Sequence, residues 1–209
     1  CIRARGVLLL QLAGGSGRFP LEGTSEDGLA VSFSPGLSCD SGQGRKMKIS
    51  LITVTMGDRA DALIRLKNSL ARQTFRDFEH IVVDQREHPE LRGGLSRARN
   101  YGMRQAKGDV IAFPDDDAWY GPTVLQDVAD ILSDVNVDGV SFRVVDDNGN
   151  CSAGGWMATG KKYINKCTVW HTAVSCSFFL KRDAIGELRF DERLGAGSGT
   201  RFGSGEETD

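Results

Sequence analysis

Apolar positions repeat with two different periods along this chain, and the switch between them outlines its elements. Ile49-Ser50-Leu51-Ile52-Thr53-Val54-Thr55 is a β-branched run that predicts a buried strand. Ala62, Leu63, Leu66 and Leu70 then fall at helical spacing. Phe78-Glu79-His80-Ile81-Val82-Val83-Asp84 predicts a second strand that ends in an acid. Leu95, Ala98 and Met103 suit a second helix, and residues 109–114 a third strand. Tyr120-Gly121-Pro122 opens a third helix, with Pro near its first turn and Val124, Leu125, Val128, Ile131 and Leu132 on its apolar face. Residues 137–145 predict a fourth strand, and Asp147-Asn148-Gly149-Asn150 a turn.

Strands alternating with helices predict an α/β fold with a mostly parallel sheet flanked by helices. Ligands of such sheets bind at the carboxyl ends of the strands. That directs attention to residues 55–59, Asp84 and Asp115-Asp116-Asp117.

The first 46 residues have another texture, with nine Gly, six Ser and two Pro. Their apolar patches, Val7 to Leu12 and Leu29 to Phe33, are too short to build a core. Residues 1–46 are therefore expected to be a disordered or non-native N-terminal extension, with Met47 as the natural start. Residues 47–209 are expected to form one domain, incomplete at its C-terminus because the chain stops without a closing element.

Composition narrows the function classes. Lys and Arg total 26 and Asp and Glu 28, a formal net charge of −2, which argues against coating nucleic acid by bulk charge. No apolar run approaches the ~20 residues of a membrane helix. Cys1, Cys39, Cys151, Cys167 and Cys176 form no C-x-x-C pair and read as buried thiols in a reducing compartment.

Three adjacent carboxylates after a buried strand repel one another unless a cation or water screens them. Oxygen donors suit hard cations, Mg²⁺ or Mn²⁺, whose open positions phosphate oxygens fill. Asp84 can accept from a nucleobase N–H or a ribose hydroxyl, or serve as a turn residue. Arg59, Arg97 and Arg99, with Asn100, suit phosphates or a solvated face. Glu206-Glu207-Thr208-Asp209 follows a glycine-rich run and reads, taken alone, as a solvated acidic loop first and as a loop closing over substrate with a general base second. His80 reads as structural, and no His pairs with a Ser or Cys nucleophile. Trp156, Trp170, Phe178 and Phe179 read as core or as acceptor-side walls.

Taken in order, these pieces resemble the family 2 glycosyltransferases of GT-A fold. The resemblance rests on Gln73-Thr74-Phe75 with the strand to Asp84, and on Gly94-Leu95-Ser96-Arg97-Ala98-Arg99-Asn100. It continues through the strand entering Asp115-Asp116-Asp117, and through Phe190-Asp191-Glu192 followed by Gly205-Glu206-Glu207-Thr208-Asp209. It covers residues 48–209.

The resemblance implies an inverting, metal-dependent transfer of a sugar from a nucleoside diphosphate sugar, a UDP-sugar foremost, to a hydroxyl acceptor. Asp84 would contact the base, Asp115 the ribose, and Asp117 an Mn²⁺ or Mg²⁺ ion bridging the diphosphate. Thr55, Arg59 and Arg99 would lie beside the nucleotide, with Glu207 as catalytic base. By analogy, the acceptor would be a glycan or lipid-linked, and the protein cytoplasmic with peripheral contact at the inner membrane face. The first loop, Thr55-Met56-Gly57-Asp58-Arg59, lacks the family's common Tyr-Asn, and Glu207 stands where Asp is usual. A nucleotidyltransferase would need a glycine-rich basic loop after the first strand. A phosphatase would carry its D-x-D there too, whereas the three acids here follow the third strand. A non-catalytic sugar-nucleotide-binding module, or an inactive fragment, is the alternative of a different class.

Overall fold

The computed structural model describes residues 7–10, 47–146, 162–164 and 174–203. Seven strands form one sheet: Val7–Leu10 (β1), Ile49–Thr55 (β2), Phe78–Asp84 (β3), Val110–Ala112 (β4), Gly139–Phe142 (β5), Lys162–Ile164 (β6) and Phe178–Lys181 (β7). Their order across the sheet is β3-β2-β4-β7-β5-β1-β6. Strands β3, β2, β4, β5 and β1 run in one direction, and β7 and β6 run against them.

The expected strands at residues 49–55 and 78–84 form with those bounds. The expected helices form as Ala60–Ala71 (α1), Leu95–Gln105 (α2) and Val124–Leu132 (α3). Two features depart from the sequence expectation. The aromatic pair Phe178 and Phe179 belongs to β7, wedged antiparallel between β4 and β5. Val7–Leu10, within the stretch expected to be loosely attached, pairs in parallel with β5. The rest of that stretch, and the expected turn at residues 147–150, lie outside the described residues.

Strand alternation sorts the core into two layers. Ile49 and Leu51 of β2 pack with Leu66 and Leu70 of α1, Leu125 and Val128 of α3, and Phe179. Ile52 faces the other way and packs with Met103 of α2, Ile111 and Phe113. Helices α1 and α3 thus cover one face of the sheet, and α2 covers the other.

Gln73 joins the first layer at a point the sequence marked. Wholly buried, its Nε2 donates to the carbonyl of Gly121 at 2.7 Å, and its Oε1 accepts from the Leu125 N–H at 3.0 Å. One amide therefore satisfies a free N–H in the first turn of α3 and ties that turn to the end of α1.

Candidate functional site

Strands β2 and β3 end side by side, while β4 ends level with Leu51 of β2 and the chain beyond it continues toward the same end of the sheet. Thr55, the last residue of β2, stands in register with Asp84, the last of β3. Beyond β4 the chain runs through buried Phe113 into the three acids.

Successive carboxylates there point in different directions. Asp116 turns inward, and its Oδ2 accepts from the Thr55 hydroxyl at 2.7 Å. The same hydroxyl oxygen accepts from the Gly57 N–H at 3.0 Å. Asp115 and Asp117 face outward, with side chains 44% and 56% exposed. A buried carboxylate needs donors to offset its lost hydration, and Thr55 supplies one.

Two arginines complete the cluster from opposite sides. Arg59, at the start of α1, donates from Nη1 to Asp117 Oδ2 at 2.7 Å and lies 3.6 Å from Asp116 Oδ1. Arg99, on α2, is buried. Its Nη2 donates to the Ser175 hydroxyl at 3.0 Å and lies 3.6 Å from Asp115 Oδ1. The Arg99 guanidinium sits beside the edge-to-face pair of Phe113 and Phe190 rings, at 5.8 and 5.5 Å from their centroids. Thr55, Arg59, Arg99, Asp115 and Asp117, each singled out by sequence, therefore meet at one place.

Asp84 has its own partner, Arg86, which the sequence reading passed over. Arg86 grips both carboxylate oxygens, with Nη2 donating to Oδ2 at 2.7 Å and Nε to Oδ1 at 3.1 Å. The Arg86 side chain and backbone N–H hold the Asp84 carboxyl below the usual carboxylate range. The sequence signal was an acid at a strand end with a guanidinium two residues on, within reach of a turn. Gly57 makes room for this pair. Its φ is +76°, and a Cβ there would lie 1.9 Å from Arg86 Cζ.

Arg97 and Asn100, read as phosphate candidates, are engaged elsewhere. Arg97 donates from Nε to Glu192 Oε2 at 3.1 Å. The Asn100 amide bonds the backbone of Phe190. Ser96 donates to the Leu194 carbonyl at 2.8 Å, and the Leu95 N–H to the Ala196 carbonyl at 2.9 Å. The start of α2 is thus a dock for the segment carrying Phe190-Asp191-Glu192. Glu207, and with it the candidate base, lies outside the described residues, as do Trp156 and Trp170.

Cys176 borders the acids, and Tyr120 donates its hydroxyl to the Cys176 carbonyl at 3.0 Å. Burial and the nearby Asp115 carboxylate push the Cys176 thiol up to about 12, so it stays protonated and is no nucleophile at neutral pH.

Among the described residues, no group of three His, Cys, Asp or Glu is arranged to hold a metal ion. The donor chemistry still fits one. A Mg²⁺-type ion uses one or two carboxylates and fills its remaining positions with water and substrate phosphate. Asp117 is half exposed and suits that task, with Arg59 now on its carboxylate.

The described residues also contain no helix long and apolar enough to cross a membrane. Residues 85–189 match the model of glycosyl transferase family 2. A 101-residue stretch is 34% identical to the uncharacterized glycosyltransferase YwdF of Bacillus subtilis strain 168, covering 40% of this chain and 37% of YwdF. In three dimensions, 78% of the chain superposes on 32% of S. aureus TarS, with a TM-score of 0.60 at 21% identity. TarS 1-349 in complex with UDP gives a TM-score of 0.61 at 21% identity, over 78% of this chain and 53% of that one. The chain thus spans a third to about half of the length of these proteins. Its mixed sheet flanked by helices superposes on these GT-A-like structures, and with half of its length matching the family model, the chain belongs to glycosyl transferase family 2.

Proposed function

We propose that this site binds a nucleoside diphosphate sugar, a UDP-sugar foremost, and transfers the sugar to an acceptor hydroxyl with inversion. The observation that carries the reading is the convergence of Thr55, Arg59, Arg99 and the outward-facing Asp115 and Asp117 where β2 and β4 end, with Asp84 beside them on β3. Structures of the similarly folded TarS in complex with UDP and with UDP-GlcNAc support the donor class.

In this reading Asp84 accepts from an N–H of the base, and Asp115 from the ribose. Arg59 and Arg99 supply positive charge beside the diphosphate, where guanidinium forks suit phosphate oxygens. A divalent Mn²⁺ or Mg²⁺ ion at Asp117 would offset the charge on the departing diphosphate. The acceptor oxygen forms the new bond to the anomeric carbon, and the old C–O bond leaves its electron pair on the diphosphate. Glu207 takes the acceptor proton, a contribution of about 10²–10⁴-fold. One displacement inverts the anomeric centre. A glycan or lipid-linked acceptor, and a place at the inner membrane face, rest on the family likeness alone.

Thermal unfolding with UDP, GDP or dTDP, with and without Mn²⁺, tests the donor site. A ligand at a hundred times its Kd stabilises the folded state by about 2.7 kcal/mol. The expected result is a nucleotide shift that needs Mn²⁺ and disappears in Asp117→Ala. A folded protein that shifts with none of the three nucleotides overturns the reading.

A further inference from the structure

The contact between Arg59 and Asp117 bears on how a metal and a nucleotide share this site. We propose that Arg59 is a built-in competitor for the divalent cation at Asp117, released when the donor's diphosphate draws the guanidinium away. The inference rests on the metal-dependent reading above and adds an order to it: the cation binds weakly alone and tightly once nucleotide is present.

The argument is geometric. Arg59 Nη1 lies 2.7 Å from Asp117 Oδ2 and 3.6 Å from Asp116 Oδ1, so one guanidinium occupies the space a cation on these two acids would take. A divalent ion at the same carboxylate meets both a filled acceptor and a like charge.

The pair is also easy to open. Its side chains are 57% and 56% exposed, and an exposed ion pair shifts an equilibrium by no more than about fivefold. The other partners of the cluster are fixed by comparison. Asp116 is held by the Thr55 hydroxyl, and buried Arg99 lies against the Phe113 and Phe190 rings and donates to the Ser175 hydroxyl. Arg59 stands at the mouth of the site on a long flexible stem, and a diphosphate offers it more negative charge and better fork geometry than one carboxylate. Moving Arg59 onto the diphosphate uncovers Asp117 as the phosphate oxygens arrive to complete a cation's shell. By linkage, metal then tightens nucleotide by the same factor as nucleotide tightens metal.

The test titrates Mn²⁺ into the full 209-residue chain, with and without UDP, following free Mn²⁺ by electron paramagnetic resonance. Arg59→Gln removes the charge, and Arg59→Lys keeps it. The expected result is that Arg59→Gln binds Mn²⁺ alone about three- to fivefold more tightly than the unaltered chain, with Arg59→Lys close to the latter. The gain in Mn²⁺ affinity on adding UDP shrinks in Arg59→Gln by a similar factor, and added salt narrows the difference between the proteins. Equal Mn²⁺ affinity in all three without UDP, or weaker binding by Arg59→Gln, overturns the proposal and leaves the metal site standing if UDP still promotes Mn²⁺ binding. No Mn²⁺ binding by any of the three, even with UDP, overturns the metal-dependent reading and the competitor role together.

Discussion

Asn100 and Phe190 exchange two hydrogen bonds: the Asn100 amide nitrogen donates to the Phe190 carbonyl at 2.9 Å, and the Phe190 N–H donates to the Asn100 amide oxygen at 3.0 Å. The side-chain amide acts as a one-residue strand partner. It fixes the backbone of the segment that also places the Phe190 ring beside Arg99. Loss of the amide leaves two backbone groups unpaired where Asn100 is buried. Asn100→Ala is expected to cost about 2–3 kcal/mol in urea unfolding. Hydrogen exchange should quicken at Phe190 and at Leu95, whose N–H bonds Ala196. Unchanged exchange there would show that the segment is held by other contacts.

Thr55 and Asp116 make a buried pair beneath the site. Thr55→Val keeps the shape and removes the donor, so the carboxylate is left inside with less compensation. The expected loss is about 1–3 kcal/mol of stability, with weaker nucleotide binding as Asp115 and Asp117 shift. Thr55→Ser should recover most of both. A Val variant as stable as the original chain would mean that Asp116 is satisfied without the hydroxyl.

His80 sits on the inner part of β3 with its Nε2 2.9 Å from the Thr53 hydroxyl. Burial, then the Lys67 charge, lowers its pKa from 6.5 to about 4. The unfolded chain therefore takes up a proton near pH 6.5, and the folded chain only near pH 4. His80 leaves stability untouched above about pH 6.5, lowers it as pH falls toward 4, and adds no further loss below that. The full effect is up to about 3 kcal/mol. Comparing urea midpoints at pH 7 and pH 4.5 measures it, and His80→Gln should lose less between the two.

Gly108 lies against the start of β2. A Cβ there would be 2.6 Å from the Ser50 backbone nitrogen and 2.8 Å from the Lys48 carbonyl oxygen, neither of which a rotamer change can move. Gly108→Ala is expected to destabilise by about 2 kcal/mol or more. Gly203→Ala, where a Cβ meets nothing within 4 Å, should stay within about 0.5 kcal/mol. Similar midpoints for the two would refute the close approach.

Much of the donor side was legible because its residues follow their strands directly in sequence. A β-branched run ending in Thr55 or Asp84 sets both the strand and the edge at which its last residue stands. The dock at the start of α2 was not legible, since Arg97 and Asn100 look the same whether a phosphate receives them or, far along the chain, the Glu192 carboxylate and the Phe190 carbonyl do. Strand β7 was hidden for a related reason. Phe178 and Phe179 declare burial, but their antiparallel place depends on partners far along the chain. Four apolar residues at Val7–Leu10 carry too little signal to predict pairing with Gly139–Phe142, which only the assembled sheet creates.

The central position of β7 governs how this sheet can be assembled during synthesis. Val110–Ala112 and Gly139–Phe142 leave the ribosome before Phe178–Lys181, yet they do not touch each other as strands and both pair with it. Until that late segment arrives, each presents an unsatisfied edge, the kind of surface on which nascent chains associate wrongly. The segment from the wedge strand onward therefore closes a gap in the middle of the sheet and brings the Phe190 ring beside Arg99. A nascent chain released before residue 178 lacks both the strand that joins the sheet and the Phe190 ring beside Arg99, so one late segment serves fold and site together.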